Sequence, residues 1–264
     1  MNIKTIIYSL STLLPIHQIH AETLSAQQIM DNANLSYYYV GDDGRAEARM
    51  KIIDKQGRTQ LRQFTILRKD LVDGGDQDIL VHFSRPSDVK NTVFRVVKHP
   101  QAQDDRWLYL PGLDLIKRIS SGDKRTSFVG SDFFYEDISG RSPTLDSHQL
   151  IEKMANKYHL KSIPNHPDNV EFNHYESWID STTFLPIKVT YFDQNNSPMR
   201  EFTALKKQLI QGHPVITSAQ VKNFASGNKT IMQIRGIKFD LGLPNNIFSE
   251  KSLRTPPFKW LRKR

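Results

Sequence analysis

The sequence predicts a mainly β protein built from antiparallel strands, either a β-sandwich or a curved open barrel. Two observations carry this. Apolar residues recur with a period of two over most of the chain, and turn signals interrupt them roughly every ten residues. Only one stretch near the start shows clear helical spacing.

The first residues read as a secretion signal. Lys4 supplies a positive start, Ile6–Ile16 an apolar run, and His17–Ala21 a polar end closing on a small residue. Cleavage is expected after Ala21, which places the mature protein in the periplasm. The apolar run is shorter than the roughly 20 residues of a transmembrane helix. The 264-residue chain has no cysteine, which excludes a lipid anchor on cysteine, disulfides and thiolate metal sites. The expected organisation is a signal at 1–21, a single domain over 22–255, and a basic tail over 256–264, read as extended or frayed.

Ser25–Ser36 reads as a short helix, with Ser25 as cap and Ile29, Met30 and Ala33 at helical spacing. The period then switches. Ala46, Ala48, Met50 and Ile52 alternate with Glu47, Arg49 and Lys51, and Asp54–Gly57 turns the chain into Thr59–Lys69, so a hairpin is expected with the first set buried. Asp78–Ser84, Thr92–Lys98, Arg106–Leu110 and Leu115–Ser120 read as further strands. Phe128–Ile138 breaks the rhythm and reads as a loop with a helical turn lying over the sheet. Beyond it, Gln149–Ile163 and Val170–Ile179 form one expected pair, Pro186–Phe192 and Met199–Leu209 a second, and Pro214–Phe224 and Lys229–Asp240 a third.

The formal net charge of +8 suits attraction to anionic lipid or an acidic partner. In an exported chain it does not point to nucleic acid. No phosphate-binding glycine loop, nucleophile elbow or zinc helix is present, so no catalytic residue, cofactor or metal is assigned. Gly130-Ser131-Asp132 reads as a turn. Asp132, Glu136 and Asp137 read as partners for Lys117, Arg118 or Arg125. His159 and His166 are the nearest approach to a metal pair, without ligand spacing.

Three stretches carry a family resemblance. They are Arg106-Trp107-Leu108-Tyr109-Leu110-Pro111 with Lys117-Arg118-Ile119; Phe128-Val129-Gly130-Ser131-Asp132-Phe133 with Tyr135-Glu136-Asp137; and Trp178-Ile179-Asp180 with Leu185-Pro186-Ile187-Lys188-Val189, joined by Leu243-Pro244-Asn245-Asn246-Ile247-Phe248. Together they resemble the outer-membrane lipoprotein-sorting (LolA/LolB-like) superfamily, and within it the branch associated with RND/MMPL-type exporters. The resemblance implies a strongly curved antiparallel sheet, an incomplete β-barrel with a few short helices covering its open side. It also implies a carrier, not an enzyme, that holds a lipid or lipoprotein acyl chain. The partner implied is an RND/MMPL-type inner-membrane transporter, with peripheral membrane contact. The other reading is an interaction subunit that docks on an envelope transporter or sensor and carries nothing; an envelope hydrolase ranks last. The arginine that holds the lid in the family's namesake has no counterpart recognisable in the sequence.

Trp107 and Tyr109 share one face of their strand, and Leu108 and Leu110 the other. One of these faces is expected to line an acyl-sized pocket, with Phe94, Phe128, Phe133, Tyr191 and Met232 as further lining candidates. The sequence leaves open which face that is.

Overall fold

A computed structural model describes residues 24–262. The secretion signal, the cleavage point before Glu22, and Lys263 and Arg264 lie outside the described residues.

Helix α1 (Ala26–Tyr38) comes first among the described elements and ends two residues later than its spacing predicts. The Ser25 side chain accepts from the Gln28 backbone N–H, and the Gln28 side chain accepts from the Ser25 N–H, which satisfies two end donors at once. Strands β1 (Asp43–Ile53), β2 (Thr59–Asp70), β3 (Gln77–Arg85), β4 (Val93–Lys98), β5 (Asp105–Leu110) and β6 (Leu115–Arg118) follow as one meander. A crossing segment then carries the short helix α2 (Tyr135–Ser139). Strands β7 (Asp146–Lys153), β8 (Lys157–Pro164), β9 (His174–Asp180), β10 (Pro186–Phe192), β11 (Pro198–Ile210), β12 (His213–Asn223) and β13 (Lys229–Phe239) form a second meander. Two short helices, α3 (Lys251–Arg254) and α4 (Phe258–Leu261), end the described chain.

All thirteen strands form one antiparallel sheet in the order β6-β5-β4-β3-β2-β1-β13-β12-β11-β10-β9-β8-β7. The first meander winds outward from β1. The chain then crosses to the far edge and winds inward until β13 pairs with β1. The edges β6 and β7 do not meet, so the curved sheet stays open. Bulges at Arg45/Glu47, Pro186/Lys188, Tyr191/Phe192 and Ala204–Lys207 fall mostly in the central and second-meander strands, where they sharpen twist and bend.

The β1–β2 hairpin has the expected register, with Ala48 opposite Phe64 and Met50 opposite Arg62. Ala48, Met50 and Ile52 are buried and Ala46 is half-buried. Gln149–Ile163 departs from expectation. It is a hairpin and not one strand, turning at Ala155-Asn156, where the Met154 N–H donates to the Lys157 carbonyl at 2.9 Å. A two-residue turn without glycine or proline leaves little trace in composition.

Both faces of the first meander are covered. On the inner face Met50, Phe64, Val81, Phe83, Phe94 and Leu108 pack against the crossing segment through Phe128, Phe133 and Tyr135. Phe128 is the plug of this layer, with ring centroids 5.4–6.1 Å from those of Phe64, Phe83, Phe94 and Tyr135. On the outer face Leu67, Leu80 and Val93 pack against the C-terminal segment through Leu243, Phe248, Leu253 and Leu261. The expectation of an extended, frayed end is therefore corrected: residues 258–261 are helical, Leu261 is buried, and the Arg45 guanidinium donates to the Trp260 and Leu261 carbonyls at 3.1 and 2.8 Å. Leu261 and the half-buried Trp260 anchor the segment on the outer face, while Phe258 and Lys259 stay exposed.

Candidate functional site: an apolar cavity under helix α1

The second meander has less filling. Its inner face is roofed by α1 instead of a packed loop, and a cavity of about 140 Å³ lies between them. Met30, Ala33, Tyr37 and Tyr38 of α1 line one side, Phe133 and Asp137 of the crossing segment a second, and Ile179, Val189, Tyr191, Phe202 and Met232 the sheet side. The volume resembles that of engineered protein cavities that take a benzene-sized apolar guest. It is below the roughly 300–1,000 Å³ of drug-sized sites, so a longer chain must lift α1.

Helix α1 is held by the packing of Ile29 and Ala33 against Tyr158, Leu160 and Ile179, by Gln77 Nε2, which donates to the Tyr38 carbonyl at 2.9 Å, and by two groups at its C-terminal end. Arg68 on β2 donates to the carbonyls of Tyr38 at 2.8 Å and Gly41 at 2.7 Å, and to that of Val40, capping the end of the helix. Gly140, just after α2, comes so close to α1 that a Cβ there would sit 2.6 Å from the Tyr38 ring, and its φ of +81° is one that side chains avoid. The crossing segment is tied to the sheet by Arg200. That guanidinium pairs with Asp137, donates to the Asp132 carbonyl at 3.2 Å, and lies 4.2 Å from the Phe134 ring centroid.

The cavity wall is mostly apolar, with Glu136, Asp137, Arg141 and Arg200 as its charged members. Burial, reinforced by the charge of Asp137, pushes the Tyr37 hydroxyl well above its usual range, so it stays neutral. Ser177 Oγ and Asn34 Oδ1 are buried without a hydrogen-bond partner among the described residues. Glu136, at the mouth, is surrounded by Arg125 Nη1 at 2.6 Å, Lys124 at 3.1 Å and Arg141 at 3.6 Å. Burial alone would raise its pKa, but Arg125, Lys124 and Arg141 outweigh that and hold it at about 2.

The residues singled out in the sequence divide three ways. Phe133, Tyr191 and Met232 line the cavity. Phe94, Leu108, Leu110 and Phe128 lie on the inner face but in its filled half. Trp107 and Tyr109 lie on the outer face under the C-terminal segment and do not line the cavity. The Arg95 guanidinium covers Trp107 at 4.7 Å, and the Tyr109 hydroxyl donates to Asp114 Oδ1 at 3.2 Å. Met30, Ala33, Tyr37, Val189 and Arg200 are among the lining residues that strand alternation missed. The first three have a signal in the sequence, the apolar stripe of the first helix.

Elsewhere, Ser131 Oγ donates to the Phe128 carbonyl at 2.7 Å, as a turn requires. Of the cations expected around the acidic cluster only Arg125 takes part; Arg118 pairs with Asp105 instead. His159 stacks on Trp178 and meets Glu176 at 2.9 Å. Among the described residues no group of His, Asp and Glu is placed to hold a metal ion, and no helix is long and apolar enough to cross a membrane.

An open antiparallel sheet with a roofed apolar cavity defines the class of protein, and comparison with known proteins specifies it. A family profile described as that of an uncharacterized protein matches residues 75–255, more than half of the chain. A DUF1329 family protein from Desulfovibrio piger is 25% identical with a TM-score of 0.77, over 85% of this chain and 97% of that one. A protein from Vibrio parahaemolyticus described as an outer membrane lipoprotein-sorting protein domain is 26% identical with a TM-score of 0.78, over 87% and 98% of the two chains. A LolA superfamily protein from Nitrosomonas europaea shares the fold at 16% identity, with a TM-score of 0.67 over 87% and 99%. No curated protein matches. The chain belongs to the LolA-like family.

Proposed function

We propose that this protein is a non-enzymatic periplasmic carrier that takes a lipid or lipoprotein acyl chain into the cavity under α1 and works with an RND-type envelope exporter. The observation that supports this most is the uneven filling of the sheet. The first meander is packed by the crossing segment, while the second leaves a largely apolar cavity beneath α1 and the edge of the crossing segment. Burial of each CH₂ contributes about 0.8 kcal/mol, so six methylenes supply about 5 kcal/mol without any charged contact. The likeness to the lipoprotein-sorting domain points the same way, as does the secretion signal in the sequence. The basic surface suits brief contact with anionic membranes during loading or release.

The test is native mass spectrometry of protein purified from the cell envelope, together with binding of a fluorescent fatty acid. Co-purified lipid is expected, with fatty-acid binding weakened about tenfold or more by Val189→Trp, which fills the cavity. A wild-type protein that carries no lipid and binds no fatty acid would overturn the carrier and leave the docking subunit.

A further inference from the structure

A second, polar cleft of about 840 Å³ opens beside the apolar cavity, and Glu136 and Arg141 line both. Its walls include Lys98 at the end of β4, Arg106 on β5, and Lys124 and Arg125 of the crossing segment. Most of these cations are satisfied within the chain. Arg125 is gripped by Glu136 and by Glu171 at 2.7 Å, and Arg141 by Asp146 at 2.7 Å. Lys98 is different. It is 1% exposed, and among the described residues its ammonium has no hydrogen-bond partner. What faces it is aromatic: the Tyr39 and Tyr38 rings lie 4.8 and 5.1 Å away. Next to it, Arg106 pairs with Asp104 and donates to Ser139 Oγ at 3.2 Å, but among the described residues its Nε–H has no partner. A buried ammonium without a hydrogen-bonding anion is costly unless something else supplies the acceptor. Two such donors at one wall of a cleft suit a phosphate or carboxylate, which offers several oxygens to a small cluster of N–H groups.

We propose that this cleft is a headgroup site, so that the cargo is an anionic amphiphile whose phosphate or carboxylate meets Lys98 and Arg106 while its acyl chain enters the cavity past Glu136 and Arg141. The inference rests on the acyl-cavity reading above. It adds selectivity: a neutral amphiphile of the same chain length leaves Lys98 without an acceptor and binds more weakly.

Titration calorimetry with three probes separates the cases: dodecyl phosphate, a neutral dodecyl glycerol ether, and inorganic phosphate. The proteins are the full mature wild type, Lys98→Met and Val189→Trp, each checked for fold by circular dichroism. One charge-assisted contact is worth about 1.5–3 kcal/mol, so wild type should prefer dodecyl phosphate over the ether by about tenfold or more. In Lys98→Met that preference should collapse, and Val189→Trp should weaken both amphiphiles alike. Equal binding of the two amphiphiles by wild type, or a preference that survives in Lys98→Met, overturns the headgroup site and leaves the acyl cavity standing. Inorganic phosphate that binds as tightly as dodecyl phosphate means a free-anion site and overturns the amphiphile. If neither amphiphile binds, the acyl-cavity reading fails and the inference falls with it.

Discussion

Lys98 and Glu136 show how the same burial has opposite consequences. Lys98 has no carboxylate in hydrogen-bonding contact. Burial pushes its ammonium down to about 8, with Asp104 and Asp70 resisting and Arg106 and Arg68 assisting. Below pH 8 it is charged in both folded and unfolded chains, and the cost of burying it is fully present. Between pH 8 and the unfolded value of 10.5 the native state releases the proton first, so stability rises with pH across that window. The difference amounts to about 3 kcal/mol. Lys98→Met should therefore stabilise the protein at pH 7 by an amount of that order and flatten the alkaline rise, as read from urea unfolding over pH 7–10.5. Glu136 has three cations, and its folded pKa of about 2 lies below its ordinary 4.5. Its contribution is present above pH 4.5 and is lost as pH falls from 4.5 toward 2. A stability loss of about 3 kcal/mol is expected over that interval, and Glu136→Gln should lack this slope, starting from a lower stability at pH 7 because three cations lose their shared partner. A wild-type protein with flat stability from pH 4.5 to 2 would refute this account of Glu136.

Helix α1 and the C-terminal segment are each held by a few contacts that can be removed. Gly140 combines a backbone conformation close to glycine-only with a 2.6 Å approach to Tyr38. Gly140→Ala should cost about 1–3 kcal/mol and loosen α1, seen as faster amide hydrogen exchange in residues 26–38 than in the sheet. At the other end, a chain ending at Pro256 loses the burial of Leu261, about 1.5–3 kcal/mol. It also leaves the Arg45 guanidinium, 8% exposed, without two carbonyl acceptors. A clearly lower melting temperature is expected; an unchanged one would mean that the segment does not hold the outer face. The first helix and its cap were legible from Ser25 and the Ile29, Met30, Ala33 spacing, because capping and amphipathic periodicity are local. That the basic tail docks was not, since its partners Arg45, Thr65 and Leu67 lie far away in sequence, 216 residues from Leu261 for Arg45 and 196 for Thr65, and only the folded sheet brings them together.

For the whole molecule the consequential feature is the division of one sheet into a filled half and a roofed half. Leu108→Ala lies in the filled half, so it should cost about 2–5 kcal/mol and leave fatty-acid binding unchanged. A loss of binding without a loss of stability in Leu108→Ala would place the acyl chain in the wrong half. Strand period, turn composition and the early helix were enough to determine an antiparallel β protein, the hairpins β1–β2, β10–β11 and β12–β13, and the inward set Ala48, Met50 and Ile52. These depend on short-range backbone geometry and on the cost of turning Glu47, Arg49 or Lys51 inward. The sequence also supplied a list of aromatic and aliphatic strand residues, of which Phe133, Tyr191 and Met232 reach the cavity. It could not separate these from Phe94, Leu108 and Phe128, or from Trp107 and Tyr109, because a hydrophobic side chain reads the same whether the space before it is packed or open. Only the tertiary structure decided that: Phe128 is inserted over the first meander, the C-terminal segment covers its outer face, and over the second meander α1 and the edge of the crossing segment enclose a cavity.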